Sequence, residues 1–242
     1  MIRSIWVWFN ALFATLTIAG SVVIASMLRI DTKLYDWAPR GWSIWILWAA
    51  GVRVVVEGVE NVHMNEPQVF ASNHQSWFDV FALSAVIPKR YRFVAKKELE
   101  RIPIFGRAWK AAGHISIDRG DRGSAIRSLE LGGELIRRDN SSVVIFPEGT
   151  RSWDGALLPF KKGAFMLALH TGVDIVPVGI FGSRSILPKG GWRLRSGTII
   201  VHFGKPIVPA NYVNDRESLI ADVRAEVQEL MAAPEQQQTI GA

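Results

Sequence analysis

Two segments of this 242-residue chain gather residue types able to move a proton and hold an anion. The first is Asn73-His74-Gln75-Ser76-Trp77-Phe78-Asp79, which follows an apolar run and opens a helical one. On a continuous helix, residues five apart point about 140° away from each other and share no face. At a strand-to-helix turn, the Asp79 carboxylate can instead reach back to one nitrogen of His74. That bond fixes the imidazole tautomer and leaves the other nitrogen free as a base. Such a pair, with no Ser or Cys nucleophile, suits direct deprotonation of a substrate hydroxyl. The plainer alternative is a loop histidine that caps the helix, and Ser76 reads as an N-cap residue in either case. The second segment is Phe146-Pro147-Glu148-Gly149-Thr150-Arg151-Ser152, again after an apolar run. Gly149 permits a tight turn, and Arg151 offers a planar fork for phosphate or carboxylate. Glu148 would pin that arginine or meet a substrate hydroxyl. The alternative is a polar turn closed by a surface Glu–Arg pair.

Both segments need a rigid frame, and the surrounding pattern supplies one. Short β-branched runs alternate with helical stretches. The spacing predicts strands at Val52–Val59, Gln68–Ser72, Tyr91–Ala95, His114–Asp118, Ser142–Phe146, Ile175–Phe181 and Thr198–Phe203. Helices are expected at Ser76–Val86, Ile104–Ala111, Ser124–Arg138, Gly163–His170 and Asp215–Met231. The fold class is α/β: a mixed sheet flanked by helices, with chemistry in loops at strand ends.

The rest of the composition concerns a membrane. Residues 4–28 carry no charge, and Ile5–Leu28 would form a helix of roughly 36 Å, enough to cross about 30 Å of hydrocarbon. A second apolar piece, 41–50, is too short to span but carries Trp42, Trp45 and Trp48. Six of the ten tryptophans fall in the first 48 residues, and tryptophan favours the bilayer interface. These features predict a two-helix anchor over 1–50, a catalytic domain over 51–233 and a flexible tail over 234–242. The anchor is expected to stand apart from the catalytic fold. Arg29, Lys33 and Arg40 outweigh Arg3 across the first helix, so the catalytic domain is expected on the cytoplasmic side of the cell membrane. The chain has no cysteine, which excludes a disulfide scaffold, a thiolate zinc site and a cysteine nucleophile. Its 49% apolar content excludes a disordered chain. The net charge of +6 lacks the basic helix or aromatic strand pattern of a nucleic-acid binder, so no nucleic-acid partner is expected.

Taken together, NHQSWFD and FPEGTRS resemble the first and third blocks of the lysophosphatidic acid acyltransferase family, the glycerolipid acyltransferases with an N-H-x₄-D block. Gly113-His114-Ile115-Ser116-Ile117-Asp118-Arg119 resembles the second block and Ile175-Val176-Pro177-Val178 the fourth, with Leu187-Pro188-Lys189-Gly190 after it. The match covers roughly 50–210 in order, although Ser116 replaces an apolar, often aromatic, residue. The resemblance implies transfer of a fatty acyl group from acyl-CoA or acyl carrier protein to the free 2-hydroxyl of 1-acylglycerol 3-phosphate. It casts His74 as the general base and Asp79 as its orienting partner. Arg119 and Arg151 would clamp the acceptor phosphate, Glu148, Gly149 and Thr150 would shape that pocket, and Pro177 would lie near the acyl donor. No metal or cofactor is implied. Glycerol 3-phosphate or a lyso-aminolipid as acceptor, and a non-catalytic membrane lipid-binding protein, are the alternatives.

Overall fold

A computed structural model of the chain describes residues 1–30, 33–118 and 122–239. The N-terminal apolar sequence forms one helical rod over Ile2–Met27. It comprises α1 (Ile2–Ala14), a π-helical turn at Thr15–Ala19, and α2 (Gly20–Met27). α3 (Leu34–Ala50) returns along it and stops at Gly51, whose left-handed φ of +63° closes the helix. α3 starts well before the apolar piece picked out at 41–50. Asp36 in its first turn suits the helix dipole and pairs with Arg90 and Arg92 at 2.9 and 2.7 Å.

Seven strands follow, interleaved with helices: β1 (Val52–Glu57), β2 (Val69–Ser72), α4 (Trp77–Val86), β3 (Tyr91–Lys96), α5 (Phe105–Ala111) and β4 (Ile115–Ile117). Then come α6 (Arg122–Asp139), β5 (Ser142–Ile145), α7 (Gly163–Thr171), β6 (Ile175–Phe181), the single turn α8 (Ser183–Ile186), β7 (Gly197–Phe203) and α9 (Arg216–Thr239). They make one sheet in the order β1-β7-β6-β2-β5-β3-β4. Every neighbouring pair is parallel except β6 with β7, so the sheet is mixed. Each of the five helices and seven strands expected from periodicity is present, with ends shifted by a few residues. The last helix runs beyond Met231, through Pro234 to Thr239, into the segment expected to be a tail.

β2, β5 and β6 lie at the centre of the sheet, and their apolar runs, buried throughout except for Phe181 at the end of β6, are what a sheet covered on both faces requires. Phe70, Phe78, Leu83, Val144 and Val178 fill one face; Ile115, Phe165, Leu167 and Val223 fill the other. The first face takes in Val7, Ile46, Leu47 and Ala50 as well, so the core crosses the boundary at residue 50. The rod touches the α/β domain in both its halves. Near its start, Ser4 Oγ accepts from Leu194 N at 2.9 Å and Trp8 Nε1 donates to the Trp192 carbonyl at 3.0 Å. Further along, Ala19 and Val22 pack with Ala38 and Ala108.

Candidate active site

The carboxyl ends of β2 and β5 carry the two segments singled out by sequence. Asn73 follows β2 and is completely buried. Its side-chain amide donates to the Ile180 carbonyl at 2.9 Å and accepts from Ile180 N at 2.7 Å, extending the β2–β6 ladder one step with a side chain. That stitch fixes the point where the chain leaves the sheet. Three residues on, Ser76 caps α4: its hydroxyl accepts from Phe78 N at 3.1 Å and donates to the Leu187 carbonyl at 2.7 Å. Asp79 completes the capping box.

Asp79 is fully buried at the first turn of α4. Its Oδ2 accepts from Gln75 N at 2.6 Å and Ser76 N at 2.7 Å and lies 2.8 Å from His74 Nδ1. Three contacts converge on this one oxygen and immobilise it; with Oδ2 accepting, Nδ1 bears the proton and Nε2 is left as the acceptor. The imidazole stacks on Phe146 with ring centres 4.0 Å apart, which fixes its plane. The pair therefore fixes the orientation of the imidazole, and the capping role falls to Ser76 and Asp79.

Glu148 serves the backbone rather than Arg151. Among the described residues it forms no ion pair with an arginine. Its Oε1 accepts from His74 N at 2.6 Å and its Oε2 from Leu158 N at 3.0 Å, so it positions the backbone of the histidine itself. With 3% of its surface exposed, burial pushes its pKa up to about 7 and outweighs the two amide donors that favour the carboxylate. Ser152 N donates to the His74 carbonyl at 2.9 Å, so the two segments are locked together by backbone as well. Gly149 adopts φ of +70°, and a Cβ there would meet Lys161 at 2.9 Å. The left-handed φ is what calls for glycine at this turn.

A cavity of about 370 Å³ opens beside this turn. His74, Thr150, Arg151 and Lys189 give it a polar side, while Val22, Trp42, Phe81, Phe93, Phe105 and Trp109 supply most of an apolar interior. α4 faces it with Trp77, Val80 and Phe81 and turns Phe78, Ala82 and Leu83 into the core. Arg151 lies over the Trp77 ring at 5.1 Å, and its partial burial lowers its basicity while the charge of Asp79 opposes that. Guanidinium remains a cation throughout the physiological range. A second cavity histidine, His114, is a different case. Its Nδ1 accepts from Phe93 N at 3.1 Å, and burial, aided by Arg92, pushes it down to about 3. It is neutral at any physiological pH and its lone pair is taken, so it is no rival to His74 as a base.

Of the residues expected at the site, the structure brings His74, Asp79, Glu148, Gly149, Thr150 and Arg151 into one constellation. Pro177 is not brought to the cavity. It lies buried in the middle of β6 opposite Ala71, and its carbonyl accepts from Gly204 N at 2.8 Å. Proline has no N–H to contribute to the ladder, so the position reads as part of the sheet. Arg119 lies outside the described residues. Lys189 gained no role from sequence, because a lone lysine in a loop carries no geometric signal. Here its Nζ donates to the Arg151 carbonyl at 2.6 Å and to Thr150 Oγ1 at 3.2 Å, bracing the arginine turn.

This constellation sits in a segment with known relatives. A family model described as Acyltransferase matches residues 53–181, more than half of the chain. The chain belongs to the acyltransferase family. Curated 1-acyl-sn-glycerol-3-phosphate acyltransferases resemble it: one from Limnanthes alba is 37% identical over 171 residues, covering 71% of this chain and 60% of the relative. Another, from Cocos nucifera, is 38% identical and covers 67% of this chain and 52% of the relative. The chain thus spans little more than half the length of these plant family members. A crystal structure of the 1-acyl-sn-glycerophosphate (LPA) acyltransferase PlsC from Thermotoga maritima superposes with a TM-score of 0.79 at 28% identity, over 96% of this chain and 95% of that one. The family match spans β1 to the end of β6 and so contains both turns.

Proposed function

We propose that the chain is a membrane-associated 1-acylglycerol-3-phosphate acyltransferase, with His74 as its general base. The observation that carries this reading is the His74–Asp79 pair, with one nitrogen tied to a buried carboxylate and the ring on the wall of an apolar cavity. The names of the relatives point to the same activity.

The chemistry needs little more. A thioester is already activated, so the enzyme must position an alcohol and remove its proton. His74 Nε2 takes the proton from the 2-hydroxyl as the oxygen attacks the thioester carbonyl. The tetrahedral intermediate collapses with loss of the thiolate, and the imidazolium returns the proton to sulfur. The ester forms, the thioester breaks, and no covalent enzyme intermediate arises. Asp79 stabilises the imidazolium and holds its tautomer. Arg151, with Arg119 as its proposed partner, receives the acceptor phosphate through charge-assisted bonds. Gly149 and Thr150 shape that pocket, and the apolar interior receives an acyl chain.

The membrane part of the proposal rests on the rod over Ile2–Met27, whose length and composition suffice to cross a bilayer. Because both halves of the rod also lie against the α/β domain, the arrangement favours immersion in one leaflet. There a lysolipid can reach His74 without leaving the bilayer, and the catalytic domain faces the cytoplasm.

Free-thiol release measured with purified protein tests the activity. Acyl-CoA and acyl carrier protein are each supplied as donor against 1-acylglycerol 3-phosphate, glycerol 3-phosphate and a lyso-aminolipid. Release confined to the first acceptor supports the reading. Preference for another acceptor overturns the substrate assignment, and no release with any pair overturns the enzyme assignment.

A further inference from the structure

The loop after α8 holds three cations, Lys189, Arg193 and Arg195, with Arg184 just before it in α8, and there is no acid from Gly182 to Gly197. Two large indoles stand at it. Trp192 is 50% exposed, and Trp153, which packs against Gly190, is 66% exposed. Each carries its own cation: Arg193 over Trp192 at 5.5 Å and Lys189 over Trp153 at 4.6 Å. Asp154, beside Trp153, is exposed, and its Oδ1 accepts from the Ser152 hydroxyl at 2.9 Å and from Ala156 N at 3.0 Å, so one anion stands among these cations. An exposed tryptophan sheathed by a cation fits one environment above others. The ring sits among glycerol backbones and the cation meets lipid phosphate.

The position of this loop in the molecule points the same way. Trp192 and Leu194 are hydrogen-bonded to Trp8 and Ser4, at the start of the rod. Beside them α1 exposes Ile2, Ile5, Trp6, Phe9 and Leu12. The basic loop therefore continues the apolar face of α1, one step toward water. We infer that the 188–195 loop, with Trp153, is a second membrane contact that binds the head groups of anionic lipids in the leaflet occupied by the rod. The inference rests on the membrane reading above and adds to it a site, a charge preference and a depth. It also joins the membrane to the chemistry: the Leu187 carbonyl at the root of the loop accepts from Ser76, the cap of the catalytic helix. Seating the loop at the phosphates thus sets the height of His74 above the hydrocarbon.

The absence of native cysteine makes a direct test possible. Trp192→Cys and, separately, Phe9→Cys in the full chain are labelled with an environment-sensitive fluorophore; Arg193→Cys is a second loop probe. Vesicles of pure phosphatidylcholine, or with 30 mol% phosphatidylglycerol, carry a nitroxide on the head group or deep in the acyl chain. The expected result is quenching of Phe9→Cys by the deep nitroxide and of both loop probes by the head-group nitroxide. Loop quenching should be stronger with phosphatidylglycerol. Arg193→Gln/Arg195→Gln should abolish that difference, since each cation near an anionic surface is worth roughly fivefold in partition. Quenching at Phe9 with both loop probes still in water overturns the loop proposal alone. No quenching at any probe overturns the membrane reading and the loop with it. Equal loop quenching on both vesicles overturns the preference for anionic lipid. Shielding of the loop probes by acyl carrier protein without vesicles makes the surface a protein site instead.

Discussion

At the scale of single residues, Glu148 and Arg151 divide the labour of one turn. Glu148 holds the His74 amide and ionises with difficulty because it is buried. A carboxyl raised to about 7 when folded, from near 4.5 when unfolded, binds more protons in the native state between those values. Stability from this group is therefore present at low pH and is lost as pH rises through that window. Denaturant melts at pH 4.5–7.5 should show this decline in the wild type and a smaller one in Glu148→Gln. The same variant can accept only one of the two amide bonds, so turnover should fall about tenfold or more while the fold persists. Arg151→Ala should raise the apparent KM for a phosphorylated acceptor roughly 10- to 150-fold, the worth of a charged hydrogen bond, and move that of the donor little. Paired kinetics with each substrate varied in turn decide this. Of these residues, sequence pointed to the histidine, the aspartate and the arginine because their chemistry is confined to few side-chain types. It misjudged Glu148, since a glutamate that serves backbone looks the same in sequence as one that serves an arginine.

At the scale of elements, the site depends on how β2 ends and α4 begins. Asn73 makes the last link between β2 and β6 with its side chain. Asn73→Ala leaves a buried N–H and a buried carbonyl of Ile180 without partners, and should cost about 2–4 kcal/mol in chemical denaturation. Its loss should also lower turnover by loosening the turn that carries His74. The strands and helices of the α/β part were legible in sequence because apolar periodicity sets them. The strand order was not, since pairing β2 between β5 and β6 depends on long-range contacts that no local pattern records. Nor did sequence assign α4 its two faces. Trp77, Val80 and Phe81 border the cavity while Phe78, Ala82 and Leu83 enter the core, yet all of them belong to one apolar helix.

At the scale of the whole molecule, the N-terminal helices bury one side against the α/β domain and leave apolar side chains exposed on the other. Hydropathy alone does not distinguish a side chain packed on protein from one facing lipid, which is why the division at residue 50 suggested a separable anchor. Val7, Ile46, Leu47 and Ala50 are buried in the main core, and Asp36 neutralises the buried Arg92. Deleting 1–50 removes several core side chains worth about 2–5 kcal/mol each, against a total stability of about 5–15 kcal/mol. The remaining fragment is therefore expected to lose its cooperative thermal transition in circular dichroism; a fragment that melts like the full chain would show the anchor to be separable. Across the whole chain, the central claim is that one oriented imidazole turns this fold into an acyltransferase. It is tested most directly by steady-state acyl transfer to 1-acylglycerol 3-phosphate with His74→Ala beside the wild type, each checked for native circular dichroism. Turnover about 10²–10⁴-fold lower in the variant, with both substrate KM values little changed, is the result predicted for a general base; turnover close to that of the wild type would contradict it.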